Sequence, residues 1–285
     1  MPSPRRTVLI TGCSSGIGKA LAREFHQKGY DVIAGARRVH HMDDLKAEGV
    51  KTVYLDVTDQ DSIEKARKYV ESETGGRLDM LFNNAGVACT EPATDLSIDR
   101  VQECFAVNVF GVMSMVRAFA PMVIAAKGTI ANTGSVAAII QFPYSSAYSA
   151  SKAALHQYMN CLRLELAPFG VKVVTVVTAA VKSNLSDAHP LPEGSLYTAL
   201  SESVKFRAQL SMRSKPMSAE DFAKRVYTQV TKRFPKAVFW EGSNWLKLWV
   251  LFYLIPRKIA DYVMMRKFKL VEYFSRLKSQ KPIKR

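Results

Sequence analysis

Residues 7–18 read Thr7-Val8-Leu9-Ile10-Thr11-Gly12-Cys13-Ser14-Ser15-Gly16-Ile17-Gly18. An apolar, β-branched run (TVLIT) passes through a glycine-rich turn into a stretch where Ile17, Ala20, Leu21 and Phe25 recur at helical spacing and Gly29 supplies a stop. Glycines at such a strand-to-helix turn let the backbone approach a pyrophosphate closely. The helix N-terminus that follows offers free N–H groups and partial positive charge. The Thr-Gly-x-x-x-Gly-x-Gly spacing therefore makes Gly12, Ser14, Gly16, Ile17 and Gly18 candidates for holding a dinucleotide. A tight β–α turn with no ligand is the competing reading, and the strand–turn–helix context weighs against it.

The same alternation runs outward from this turn. Strands are expected at 31–36, 52–57, 78–86, 128–135, 171–177 and 236–242, and helices at 16–29, 59–74, 98–125 and 146–167. Strands separated by helices of 10 to 20 residues indicate βαβ units, hence an α/β fold with a doubly wound parallel sheet. Continuous apolar runs such as VKVVTVV (171–177) are what strands covered on both faces require.

The chain has 285 residues, 48% hydrophobic and 23% charged, which is globular and not disordered. Cys13, Cys89, Cys104 and Cys161 are scattered, with no CxxC pair and no nearby His at ligand spacing, so no metal site is expected. Scattered thiols fit a reducing, intracellular and cytoplasmic setting. The apolar run after Arg5 and Arg6 is too short for a secretory signal, and no stretch of about 18 uncharged apolar residues reads as a single-pass span. Residues 244–285 hold eleven Lys/Arg and two acids, a net +9 of the chain's +15. The basic character thus belongs to the tail, and with no nucleic-acid motif beside it nucleic-acid binding is not expected.

Three further sites carry chemistry. The second strand ends in Gly35-Ala36-Arg37-Arg38. NAD sites usually place an acid here against the ribose 2′-hydroxyl. This chain has two arginines instead, which suit the 2′-phosphate of NADP(H), although a solvated basic pair has the same spelling. Tyr148 and Lys152 lie four apart, so they share one helical face. A nearby ammonium favours the phenolate and brings a tyrosine toward acid–base work. Ser135 follows the fifth strand, at the sheet edge where α/β proteins bind ligands, thirteen residues before Tyr148.

With Asn83-Asn84-Ala85-Gly86 and Asn108, these motifs stand in the order and spacing of the short-chain dehydrogenase/reductases, which the chain resembles over about residues 6–235. The resemblance implies a Rossmann-type sheet of about seven strands and an oxidoreductase that interconverts a carbonyl and a secondary alcohol with NADP(H). It implies Tyr148 as the acid–base residue, and Lys152 as ligand of the nicotinamide ribose and depressor of the Tyr148 pKa. Ser135 would orient the substrate oxygen, and Asn108 would hold a relay water. Asp56 would face the adenine, Asn84 and Ala85 the adenosine ribose, and Val181 and Ser183 the carboxamide. Where the family commonly has Pro-Gly after the sixth strand, this chain has Thr178-Ala179. Thr178, RLELAPFGVKVV (163–174), Trp240-Glu241-Gly242 and Ile255-Pro256-Arg257 are similar to a fungal subset, the NADPH-dependent 1-acyl-dihydroxyacetone-phosphate reductases. Steroid, retinoid or secondary-metabolite ketones stand as rival substrates. An inactive cofactor-binding scaffold associated with membrane stands as the rival of another class.

Two units are expected: a nucleotide-binding domain over 1–243 and a basic, aromatic, amphipathic helical extension over 244–285. The extension begins WLKLWVLFYLI (245–255), about 16 Å as a helix and about half a hydrocarbon core. Residues 257–276 then interleave aromatic and apolar side chains with Lys and Arg. Two readings stay open, an interfacial segment on an anionic lipid surface such as endoplasmic reticulum or lipid droplet, or packing over the substrate cleft or a subunit interface. The expected partners are a hydrophobic small-molecule substrate and, at most, a second copy of the chain.

Overall fold

Five apolar runs of the sequence become strands with almost no wet face. They are β1 (Thr7–Thr11), β2 (Asp31–Ala36), β4 (Met80–Asn83), β5 (Thr129–Thr133) and β6 (Lys172–Thr178). The edge strands β3 (Lys51–Tyr54) and β7 (Val238–Glu241) are more exposed. In the computed structural model, which describes residues 5–185, 187 and 189–279, all seven pair in parallel in the order β3-β2-β1-β4-β5-β6-β7. The chain builds outward from β1 to β3 and then returns to lay β4 beside β1. The helices that follow these two strands diverge to opposite faces and leave a crevice at their carboxyl ends.

Helices α1 (Gly16–Gln27) and α2 (Asp43–Ala47) cover one face. Helix α3 (Gln60–Thr74), α4 (Ile98–Phe105), α5 (Gly111–Ala126) and α6 (Ser146–Leu166) cover the other. The segment 178–235, featureless by pattern, forms α7 (Ser201–Ala208), α8 (Leu210–Arg213) and α9 (Ala219–Val230). Helix α9 buries Phe222, Ala223 and Val226 beside Leu21 and Phe25 of α1. On the opposite face Ile63, Val70, Met115, Phe119, Leu155 and Met159 form the second core. The expected helix over 98–125 is a rod broken by one π-turn, Ala106–Phe110, between α4 and α5. Ile98–Ala126 is long and apolar enough to cross a membrane, but Val112, Met115, Phe119 and Val123 are seated on the sheet, as in the core helix of a globular domain.

The extension forms α10 (Trp245–Tyr253), α11 (Arg257–Lys267) and α12 (Leu270–Ser279), and residues 280–285 lie outside the described residues. It shares a core with the body. Met264 and the fully buried Phe268 join Val136, Tyr144, Val177, Val204 and Leu210, with Leu248, Leu251 and Phe252 packed against them. The Phe268 carbonyl accepts from Ser203 Oγ at 2.6 Å and from the Tyr144 hydroxyl at 3.4 Å. The packing reading of the tail is therefore realised on one face. The opposite face keeps Leu254, Ile259, Tyr262 and Phe274 exposed.

Candidate active site

The crevice above β1 and β4 opens into a cleft of about 900 Å³. Its nucleotide end is set by glycine geometry. Gly12 and Gly16 have φ of 73° and 55°, in the left-handed region. A Cβ on Gly18 would stand 2.3 Å from the Gly12 carbonyl oxygen and 2.5 Å from Asn84 Nδ2. The turn is thus closed so tightly that only backbone fills it, and Ser14, Ser15 and Ile17 line the rim. Asn84 ties three strand ends together. Its Nδ2 donates to the Thr11 carbonyl at 3.0 Å and its Oδ1 accepts from Thr133 Oγ1 at 3.0 Å, while Thr11 Oγ1 accepts from the amides of Asn84 and Ala85 at 2.9 Å each.

Arg37 and Arg38 stand exposed at the same end of the cleft and pair with no carboxylate among the described residues. Asp56 lines the cleft beside them. One of its oxygens accepts from the amide and hydroxyl of Thr58, at 2.9 and 2.7 Å. It follows β3, which ends at Tyr54, not within the strand expected over 52–57. Opposite, a Cβ on Gly16 would lie 3.4 Å from Ser183 Cβ, so the segment carrying Val181 and Ser183 reaches the glycine turn. That segment holds its shape without Pro-Gly. The Ala179 amide donates to the Glu241 carbonyl at 2.8 Å, and the Ala180 carbonyl accepts from Ser243 and Met217 at 3.0 and 3.2 Å.

Helix α6 presents Tyr148, Lys152 and His156 four residues apart on one face, toward the end of β5. Lys152 is buried, its Nζ donates to the Thr133 carbonyl at 3.1 Å, and burial pulls its ammonium down to about 8. Tyr148 stands one turn before Lys152 on the same helix. Burial pushes its phenol up, and the Ser135 hydroxyl and the Arg207 guanidinium draw it back. The Lys152 Nζ lies 6.0 Å from the Tyr148 ring centroid with the Thr133 carbonyl as its partner. Ser135 is buried, and its hydroxyl accepts from the Ala137 amide at 3.1 Å.

Asn108 is set apart from the other expected residues. It is fully buried in the π-turn and does not line the cleft. Its Oδ1 accepts from the Val87 amide at 2.9 Å, and its Nδ2 donates to the Val87 carbonyl at 3.0 Å and to Ser151 Oγ at 3.1 Å. With both ends of its side-chain amide engaged, Asn108 clasps the strand after β4.

Three residues of the site escaped the sequence reading. His156 Nε2 accepts from the Ser135 backbone amide at 3.2 Å, and burial, with Lys152 beside it, holds the imidazole down to about 4. It approaches that closely because residue 134 is glycine, where a Cβ would stand 2.3 Å from Nε2. The i, i+4, i+8 spacing from Tyr148 was the signal that could have found it. Arg207 of α7 and Lys267 of α11 line the substrate end. Nothing local marks them, because they are sixty residues apart. All the other residues expected from sequence line this one cleft, from Gly12 at one end to Ser135, Tyr148 and Lys152 at the other.

A parallel sheet with a glycine turn at its switch point and a Ser–Tyr–Lys set at the same edge defines a dinucleotide-binding oxidoreductase. The comparisons agree. Residues 6–193 match the short chain dehydrogenase family, and the chain belongs to it. It is 41% identical over 274 residues to the short-chain dehydrogenase virD of Hypocrea virens, covering 95% of each. It is 36% identical to the NADPH-dependent 1-acyldihydroxyacetone phosphate reductase of Saccharomyces cerevisiae, covering 97% of this chain and 96% of that one. Among solved structures, a short-chain dehydrogenase from Streptomyces avermitilis superposes with a TM-score of 0.79 at 27% identity, over 95% of this chain and 98% of that one. The protein is therefore an oxidoreductase of CH–OH and C=O groups.

Proposed function

We propose that the chain reduces the ketone of a 1-acyl-dihydroxyacetone-phosphate substrate to the secondary alcohol, with NADPH as the reductant. One continuous cleft carries this reading. It runs from the unpaired Arg37 and Arg38, past the glycine turn, to Ser135 and Tyr148, and then to an end walled by Phe142, Leu210 and Leu248. The cofactor is NADP(H), in keeping with the NADPH-dependent 1-acyldihydroxyacetone phosphate reductases of S. cerevisiae and Schizosaccharomyces pombe that the chain is similar to. The glycine cradle fits its pyrophosphate, Arg37 and Arg38 its 2′-phosphate, and Lys152 its nicotinamide ribose. When bound, it supplies hydride.

The chain's own residues then handle charge and proton. The Ser135 hydroxyl donates to the substrate carbonyl oxygen as negative charge develops there. As the carbonyl carbon gains the hydride, its π pair moves to oxygen and the Tyr148 phenolic proton joins that oxygen, which completes the alcohol. The raised phenol keeps its proton at neutral pH, so the proton is present for transfer. Reprotonation of Tyr148 from solvent restores the site. Purified protein with NADPH should oxidise the cofactor fastest with hexadecanoyl-dihydroxyacetone phosphate among a panel including steroid ketones and retinal. A higher kcat/KM on any other member would transfer the assignment to that class.

We propose further that the enzyme works in the cytoplasm against a lipid surface. The outer face of the extension joins exposed Leu254, Ile259, Tyr262 and Phe274 with Arg257 and Lys258, the mixture that anionic interfaces attract. Full-length protein should float with phosphatidylserine vesicles at low salt, and Ile259→Ser with Tyr262→Ser should weaken this. Protein that stays in solution at low salt would remove the proposal.

A further inference from the structure

At the substrate end of the cleft Arg207 and Lys267 have no counterion among the described residues, and Lys247 of α10 lines the same cleft. Arg207 projects from α7, its Nε is buried with no hydrogen-bond partner, and it makes no ion pair among the described residues. Its guanidinium carbon lies 4.8 Å from the centroid of Phe142. A ring face does not satisfy the five N–H donors of a guanidinium. Lys267 closes the same cleft from α11 and likewise has no carboxylate partner among the described residues. Its position is fixed by its neighbour Phe268, which is fully buried and accepts two hydrogen bonds through its carbonyl. The acidic group on this side of the cleft is already engaged. Asp187 pairs with Arg100 at 2.7 Å, accepts from the Thr90 amide at 3.1 Å, and bonds His189.

We propose that Arg207 and Lys267 form the binding site for a phosphate monoester on the substrate, so that the C-terminal extension completes the substrate site. This rests on the reading of the chain as a reductase of phosphorylated ketones and names the residues that give it that specificity. The observation behind it is independent of any relative. The half-buried Arg207 and the exposed Lys267 stand at one end of the cleft with no anion paired to either among the described residues, and a dianion answers both the charge and the open donors. Each cation pays in its own protonation: burial pulls Arg207 down to about 10, and burial together with the Arg207 charge pulls Lys267 down. The planar guanidinium fork suits two phosphate oxygens and the ammonium a third. Arg207, Ser135 and Tyr148 line the same cleft, so an anion held by Arg207 shares one cavity with the reacting carbonyl.

The test is a ratio. The kcat/KM for hexadecanoyl-dihydroxyacetone phosphate is divided by that for hexadecanoyl-dihydroxyacetone, the same ketone without phosphate. For the wild type this ratio should exceed about 100, because each charge-assisted contact is worth about ten- to a hundredfold. It should fall about tenfold or more in Arg207→Gln and, separately, in Lys267→Met. Arg266→Met, an exposed cation of α11 that does not line the cleft, should leave it at the wild-type value. Glycerol 3-phosphate should inhibit competitively, with a Ki raised in the same two variants. Lys267 is an exposed side chain, so its variant keeps the fold and the test stands even if Arg207→Gln expresses poorly. A wild type that prefers the phosphorylated ketone while both variants keep its ratio would overturn this inference and leave the proposed function standing. An Arg207→Gln enzyme with a shifted pH profile but an unchanged ratio would show that this arginine serves Tyr148 alone, and would also overturn it. A wild type that reduces only the uncharged ketone would remove the proposed function and the phosphate site together.

Discussion

The bond between the Ser135 amide and His156 ties catalysis to the protonation of a buried imidazole. Nε2 accepts from Ser135 at 3.2 Å, so the ring must be neutral, with its proton on Nδ1. The folded pKa is about 4, against 6.5 for a free imidazole. Because the folded value is lowered, the native state binds fewer protons than the unfolded chain between these limits. Stability is therefore complete above pH 6.5 and is lost as the pH falls toward 4. At about 1.4 kcal/mol per decade of pH the full loss from this group is about 3 kcal/mol. Carboxylates add their own acid limb, so the informative quantity is the difference between wild type and His156→Gln, whose amide oxygen can still accept from Ser135 but takes up no proton. Urea midpoints at pH 7.5, 6.0 and 5.0 should fall more steeply for wild type, by about 2 kcal/mol across this range. His156→Gln should keep much of the kcat at pH 7.5, whereas His156→Ala, which leaves the Ser135 amide unpaired at a cost of about 1–3 kcal/mol, should lose it. Equal pH slopes in wild type and His156→Gln would refute the assignment of a neutral, positioning imidazole.

Tyr148→Phe keeps the ring and removes the proton, so turnover should fall about 10²–10⁴-fold with NADPH affinity nearly intact by fluorescence titration; more than about a tenth of the wild-type rate would contradict the role. Arg37→Ala and Arg38→Ala should weaken NADPH about ten- to a hundredfold and NADH much less, and equal losses for both cofactors would exclude a 2′-phosphate contact. Gly18→Ala places a Cβ 2.3 Å from the Gly12 carbonyl; the overpacking should cost about 1–3 kcal/mol in urea unfolding and weaken both cofactors alike. Removing residues 244–279 strips Met264 and Phe268 from a shared core, so this truncation should lower Tm even where no lipid is present, and an unchanged Tm would show that the extension does not pack on the body.

Much of this molecule was legible before any coordinates, for a physical reason. A strand buried on both faces must be apolar throughout, a helix must repeat at three to four residues, and a turn of positive φ that meets backbone must be glycine. Such demands act between neighbours in the chain, so Gly12, Gly16 and Gly18, the paired Tyr148 and Lys152, and Ser135 at a strand end could all be placed from the sequence. What the sequence could not give depends on groups distant along the chain meeting in a desolvated space. Only the fold shows that the Asn108 side-chain amide holds Val87 and Ser151. Arg207, from a stretch with no readable pattern, reaches the cleft that holds Tyr148 and Lys152. The tail's composition fitted a lipid surface and a packed helix equally well. Tertiary structure divided it, placing Phe268 in the core and Lys267 in the cleft while leaving Ile259 and Tyr262 on the outer face, because a side chain's environment is set by what folds against it.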